Sequence, residues 1–188
     1  RDHKPDLIVS NWSGSIDRDN GAVGVLMGNG DGTFQQPVSY RSGGYAGASL
    51  AISDVNGDGN QDVVVANCDP VGRRTCSNVG MGAGVVGVLL GNGDGTLRDA
   101  ASHDMGGLGA GSVVIADVNG DGHQDVLLAS CTSGLCTSAA AVLLGNGDGS
   151  FPTPVSYDSS GFGAGSIRTA DLNRDGLPEV LTTTCANA

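Results

Sequence analysis

Basic charge is scarce in this sequence. Lys and Arg together number 9 against 20 Asp and Glu, and the formal net charge of the 188 residues is −11. A surface that binds nucleic acid needs clustered Lys and Arg to neutralise phosphates, so the balance argues against that partner. Apolar runs are short, and none reaches the ~18 residues that suggest a helical bilayer crossing, so we expect no membrane span. Helix formers are thin as well: Glu179 is the only Glu, while Gly numbers 33. The acid is nearly all Asp, which serves as ligand and turn residue rather than helix surface. A chain of this kind reads as all-β and rich in tight turns. No signal peptide is visible, and the chain opens at Arg1 inside a motif. We read it as a mature product or a piece of a longer parent chain.

What is present in place of these is a nine-residue stretch in three copies. It reads DVNGDGNQD at Asp54 to Asp62, DVNGDGHQD at Asp117 to Asp125 and DLNRDGLPE at Asp171 to Glu179. Oxygen-bearing side chains stand at positions 1, 3, 5 and 9: Asp54, Asn56, Asp58 and Asp62; Asp117, Asn119, Asp121 and Asp125; Asp171, Asn173, Asp175 and Glu179. A hard cation such as Ca²⁺ takes about six to eight oxygens, and a loop with a donor every second residue can wrap around it. The Gly at position 6 (Gly59, Gly122, Gly176) permits the sharp turn that points the next carbonyl inward. Plain Asp/Asn/Gly turns would explain the glycines but not the regular spacing of oxygens. We therefore expect calcium, about three ions. An EF-hand would have Glu at position 12 and a helix beyond; here position 12 is Val65, Leu128 and Thr182, inside apolar and β-branched runs that read as strands.

The spacing shows that the whole chain is a repeat. From Asp54 to Asp117 the period is 63 residues, and from Asp117 to Asp171 it is 54. A second motif keeps step: GNGDGTF at Gly28, GNGDGTL at Gly91 and GNGDGSF at Gly145. Each unit reads as four strands: one before the acidic loop, one after it, one before the Asn-Gly-Asp-Gly turn and one after that turn. Asp31, Asp94 and Asp148 read as plain turn residues, with a second metal site as the alternative. We divide the chain at 1–43 (partial blade), 44–106 (blade), 107–160 (blade) and 161–188 (half blade). Residues 1–6 match only the end of an acidic loop, with Asp2 in place of Asp58, His3 in place of the loop glycine and Asp6 in place of Asp62.

Length variation is confined to the connection that carries the cysteines. Cys68, Cys131 and Cys185 each lie six residues beyond the last loop acid, and Cys76 and Cys136 follow the first two closely. Local disulfides Cys68–Cys76 and Cys131–Cys136 would each pin one connection, leaving Cys185 without a partner; five buried free thiols are the alternative. Paired cysteines and calcium loops both suit an oxidising, extracellular or cell-surface setting.

Before each strand-loop unit stands a Gly-rich approach: Gly44-Tyr45-Ala46-Gly47, Gly107-Leu108-Gly109-Ala110-Gly111 and Gly161-Phe162-Gly163-Ala164-Gly165. This approach, then a strand, then DxNxDGxxD, resembles the FG-GAP (also called VCBS) repeats over nearly the whole chain. The resemblance implies a β-propeller architecture of four-stranded antiparallel blades, here about three with half-blades at both ends. It also implies calcium held by the side chains named above and by the backbone carbonyls of Asn60, His123 and Leu177. Two departures stand in the third loop, Arg174 for Gly and Glu179 for Asp, and imply weaker binding there. Propellers close with about four to eight blades, so the resemblance points to self-association or to a longer parent chain.

Nothing reads as catalytic. His3, His103 and His123 are the three histidines, and none stands in a recurring Ser/His/Asp arrangement or a nucleophile elbow. His123 is inside an acidic loop, and His103 aligns with Tyr40 and Tyr157 as a strand position. We expect an adhesion or recognition module for a protein or glycan ligand. Its variable surface would be Cys68 to Cys76 with Arg73 and Arg74, Cys131 to Cys136, and Trp12 to Asn20, with Trp12 and Tyr45 as ring faces for a sugar. The alternative is a structural subunit of an extracellular filament or surface layer. Asn11-Trp12-Ser13 fits a glycan acceptor, which either class could use.

Overall fold

The computed structural model describes residues 3–11, 21–69, 83–131 and 137–185. These form eleven strands: β1 (Leu7–Asn11), β2 (Ala22–Leu26), β3 (Val38–Arg41), β4 (Ala46–Ser53), β5 (Asp62–Asp69), β6 (Ala83–Leu89), β7 (Ala101–Ala116), β8 (Asp125–Cys131), β9 (Thr137–Leu143), β10 (Val155–Ala170) and β11 (Glu179–Cys185). No helix occurs among the described residues, so the all-β expectation stands. β1, β2 and β3 form one antiparallel sheet. The other eight strands are hydrogen-bonded in the order β11-β10-β9-β8-β7-β6-β5-β4.

That continuous order arises from two 16-residue strands, β7 and β10. The sequence suggests separate fourth and first strands joined by a Gly-rich approach; here one strand serves both units. The front of β7 pairs with β6 from Ala101 to Leu108, and the rear pairs with β8 from Leu108 to Ala116. Register shifts at Leu108/Ala110 and Ala110/Ser112, with Gly109 at φ 47, carry the strand from one blade into the next. β10 repeats this, changing partner from β9 to β11 at Phe162. The first crossover is interrupted instead: β3 ends at Arg41 and β4 begins at Ala46, with Gly43 at φ 82 between them. Counted by blade, the strands fall as three, four, four and two.

The blades stack face to face, and this explains why the second strand of each unit is a solid apolar run rather than an alternating one. Along a strand, successive side chains point to opposite faces. Val63 and Val65 join Val23, Val25 and Leu89 between the first and second blades. Val64 and Ala66 turn the other way and pack with Val86, Val88, Val126, Leu128, Leu143 and Phe151 between the second and third. Leu127, Ala129, Ala140 and Ile167 fill the next junction. Both faces of β5 and β8 are thus buried, as in a sheet covered on both sides.

Candidate functional site

Topology places the three acidic loops and the Asn-Gly-Asp-Gly turns at one end of the blades. Each loop opens β5, β8 or β11, and the turn after the next strand returns beside it, because Val63 pairs with Leu89 and Val126 with Leu143.

Within the first loop, Asp54 Oδ1 accepts from Gly57 N at 2.8 Å and Oδ2 from Gly59 N at 2.7 Å. Asn56 Oδ1 accepts from Asp58 N, and Asp58 Oδ1 accepts from Asn60 N. The second loop reproduces this with Asp117, Gly120, Gly122, Asn119, Asp121 and His123. The third does so with Asp171, Arg174, Gly176, Asn173, Asp175 and Leu177. Position 6 adopts φ 82, 86 and 93 at Gly59, Gly122 and Gly176, as the sharp turn requires. Position 4 is left-handed as well, at φ 73 for Gly57, 76 for Gly120 and 66 for Arg174. Arg174 therefore holds a conformation that costs a residue with a Cβ about 1–2 kcal/mol.

The carboxyls of Asp58, Asp121 and Asp175 lie below the usual carboxylate range. The backbone N–H of Asn60, His123 or Leu177 is the main cause, followed by the side-chain amide of Asn56, Asn119 or Asn173.

Position 9 has a role beyond the loop. Asp62 is fully buried, and its Oδ2 accepts from Val55 N at 3.0 Å while its Oδ1 accepts from Gly91 N at 2.8 Å. Asp125 does the same with Val118 N and Gly145 N, both at 2.9 Å. Asp6 accepts from Gly28 N at 2.8 Å. The position 9 acid thus ties the acidic loop to the first glycine of the second motif. That glycine must approach closely: a Cβ at Gly91 would lie 2.2 Å from the Gln61 carbonyl oxygen. Neither motif alone reveals this link; the signal was their fixed order in every unit. Burial, the largest effect, pushes the Asp62 carboxyl up, the Gly91 and Val55 N–H groups oppose it, and the charges of Asp58 and Asp54 add to it. Glu179 reaches Leu172 N at 2.6 Å and Asn173 Nδ2 at 2.8 Å.

The turn aspartates close on their own turns. Asp31 Oδ1 accepts from both Thr33 N and Thr33 Oγ1, as Asp94 does from Thr96 and Asp148 from Ser150. The hydroxyl bond, then the amide bond, holds each carboxyl below its ordinary value.

Among the described residues no three His, Cys, Asp or Glu side chains gather as a metal cage. Position 9 is turned onto backbone amides, and each loop leaves an Asp–Asn–Asp set at its exposed rim. At the second junction this rim lies near the turn of the neighbouring blade: a Cβ added to Gly149 would stand 3.6 Å from Asn56 Cβ. At the first junction the matching turn, Gly93 to Thr96, borders a cleft of about 440 Å³ shared with His3, Lys4 and Asp6. That cleft thus adjoins Asp6, the counterpart of Asp62 in the first unit.

The cysteine bonds expected at Cys68–Cys76 and Cys131–Cys136 lie outside the described residues, although the backbones of Cys68, Cys131 and Cys185 belong to β5, β8 and β11. Trp12 to Asn20, Arg73 and Arg74 lie outside them too. Asn11 is the exposed last residue of β1, and Tyr45 is half-buried before β4. His123 is exposed, with its ring over Gly147.

Stacked four-stranded blades with one acidic loop per unit define a repeat array of the β-propeller type. A profile of the FG-GAP-like repeat family matches residues 1–65, 74–128 and 129–182. The chain belongs to that family. Repeats of this kind are common in extracellular adhesion and recognition proteins, and the family is generally non-catalytic. Comparison with curated proteins finds no match. No helix among the described residues is long and apolar enough to cross a membrane.

Proposed function

We propose that this is a calcium-binding, non-catalytic module of an extracellular adhesion or recognition protein. The observation that carries the reading is the Asp54–Asn56–Asp58 arrangement, repeated at Asp117–Asn119–Asp121 and Asp171–Asn173–Asp175. All the donors are hard oxygens, which suits Ca²⁺ over softer metals. The charges of Asp54 and Asp58 act unfavourably on the buried Asp62, so the loop has an electrostatic reason to take up a cation. Asp54, Asn56 and Asp58 with the Asn60 carbonyl and Asp62 would hold the first ion. Asp117, Asn119, Asp121, the His123 carbonyl and Asp125 would hold the second. Asp171, Asn173, Asp175, the Leu177 carbonyl and Glu179 would hold the third. Bound calcium neutralises the clustered carboxylates and adds stability by mass action, about 2.7 kcal/mol per site at a hundredfold excess over Kd. Thermal unfolding in calcium and in chelator tests this: Tm should fall clearly on chelation, and Asp54→Ala with Asp117→Ala should remove most of the difference. A Tm indifferent to calcium would sink the reading. A protein or glycan is the ligand class this reading implies, and glycan arrays test the sugar.

A second reading, a structural subunit that assembles by blade sharing between copies, is favoured by the two end faces. Leu7 (43 % exposed), Val9 (36 %) and Phe34 (42 %) occupy the positions that Val63, Val65 and Leu97 fill inside the stack. Tyr157 (58 %) and Leu144 (41 %) do so for Tyr40 and Met27 at the other end. Such surfaces invite a partner blade. Light scattering in calcium distinguishes the readings: long polymers favour the filament, a discrete particle the recognition module.

A further inference from the structure

Five of the Asn-Gly pairs have both residues within the described region, and the fold treats them in two ways. Asn29–Gly30, Asn92–Gly93 and Asn146–Gly147 stand in the tight turns; Asn56–Gly57 and Asn119–Gly120 stand in the acidic loops. The pair has an intrinsic chemistry. The glycine nitrogen attacks the asparagine Cγ, forming an N–Cγ bond and breaking Cγ–Nδ2. The proton lost from nitrogen leaves with the amide as ammonia. Water then opens the succinimide at either carbonyl to give aspartate or isoaspartate. The step needs a glycine N–H that is not held elsewhere and a carboxamide free to turn onto it. Glycine, without Cβ, obstructs that approach least.

The loops block both requirements. Gly57 N donates to Asp54 Oδ1 at 2.8 Å, and Gly120 N to Asp117 Oδ1 at 2.7 Å. Their carboxamides are clamped at both atoms: Asn56 Oδ1 accepts from Asp58 N while its Nδ2 donates to Asp58 Oδ2, and Asn119 does the same with Asp121. The turns leave the glycine N–H unheld and restrain the carboxamide less. Gly30, Gly93 and Gly147 donate their N–H to no described residue. Each turn Asn donates Nδ2 to the hydroxyl of Thr33, Thr96 or Ser150, at 2.8, 2.9 and 3.0 Å, and for Asn29 and Asn146 this is the one side-chain bond to a described residue. Asn92 has one further restraint, since its Oδ1 accepts from Arg98 Nε at 3.1 Å. Asn29 and Asn92 are exposed, as are their glycines.

We propose that Asn29, Asn92 and Asn146 are sites of spontaneous deamidation in the folded protein, whereas Asn56 and Asn119 are protected by the hydrogen bonds of their own loops. Each event adds a carboxylate next to Asp31, Asp94 or Asp148, at the same end as the acidic loops. It also removes the amide donor from the hydroxyl on which that aspartate depends. The chain so acquires up to three negative charges beyond its formal −11 as it ages. Neither the protection nor the reaction requires a bound metal.

The test is peptide mapping by mass spectrometry of the full chain, incubated in chelator at neutral to mildly alkaline pH, folded and in denaturant. In the folded chain the turn asparagines should convert roughly tenfold or more faster than Asn56 and Asn119, the factor that one hydrogen bond to be broken represents. Asn92 should trail Asn29. In denaturant all five should convert at similar rates. Equal rates at loops and turns in the folded chain would overturn the proposal, as would turn asparagines that stay intact while the denatured chain reacts. A lag of the loop pairs that persists in denaturant would overturn it as well, because protection would then lie in local sequence.

Discussion

Asp62 separates the two things an acidic residue does here. Asp54 sits at the loop rim and satisfies exposed N–H groups, whereas Asp62 is buried and serves Val55 and Gly91 across two motifs. Asp62→Ala should cost about 3 kcal/mol or more in chelator, because two buried amides lose their acceptor. Asp54→Ala should cost well under half of that without calcium. Denaturant titration checks it, and equal costs would count against a separate role for position 9. At the turns, Asp94 is depressed by Thr96, so its contribution is present above the ordinary carboxylate value of 3.8 and is lost as pH falls through the lower folded value. Thr96→Val should move the Asp94 titration back toward the ordinary value, as followed by NMR. Asp31 and Asp148 should not change. The rim oxygens and loop glycines were legible in the sequence, because each is a local requirement with a fixed spacing. The Asp62–Gly91 and Asp125–Gly145 bonds were not, because they join residues 29 and 20 apart that only the strand pairing brings together.

At the level of elements, burial depends on whether a blade has a neighbour. Leu127 and Leu181 hold the same place in β8 and β11, two residues beyond the loop acid. Leu127 is fully buried and Leu181 is 40 % exposed. Leu127→Ala should cost about 2–5 kcal/mol and Leu181→Ala under about 1, as thermal or chemical unfolding would measure. Similar costs would show that Leu181 is covered in solution. The strand positions were readable from their apolar runs, but the joining of fourth and first strands into β7 and β10 was not. Residues 107–111 and 161–165 look like glycine-rich loops, yet they continue the strands through bulges. Leu108 and Phe162 pair on both sides and Ala110 and Ala164 on one, and this pairing outweighs the weak strand propensity of glycine.

For the whole molecule, the blade-sharing reading gives the apolar end faces the leading role. Burying Phe34, Leu7 and Val9 against another blade would remove apolar surface from water at about 25 cal/mol per Å². The protein should therefore associate more as its concentration rises, and Phe34→Ser should reduce the particle size seen in light scattering. A particle of unchanged mass across the concentration range, with and without the substitution, would count against an adhesive end face.

The repeat, the all-β class and the oxygen-rich loops could be read along the chain, because each follows from local composition and spacing. Which apolar residues are covered and which acids are buried was settled by the fold. It also decided which asparagines are restrained by their neighbours. Those outcomes depend on strands and blades that are distant along the chain, and identical motifs meet different surroundings at the ends and in the middle of the stack.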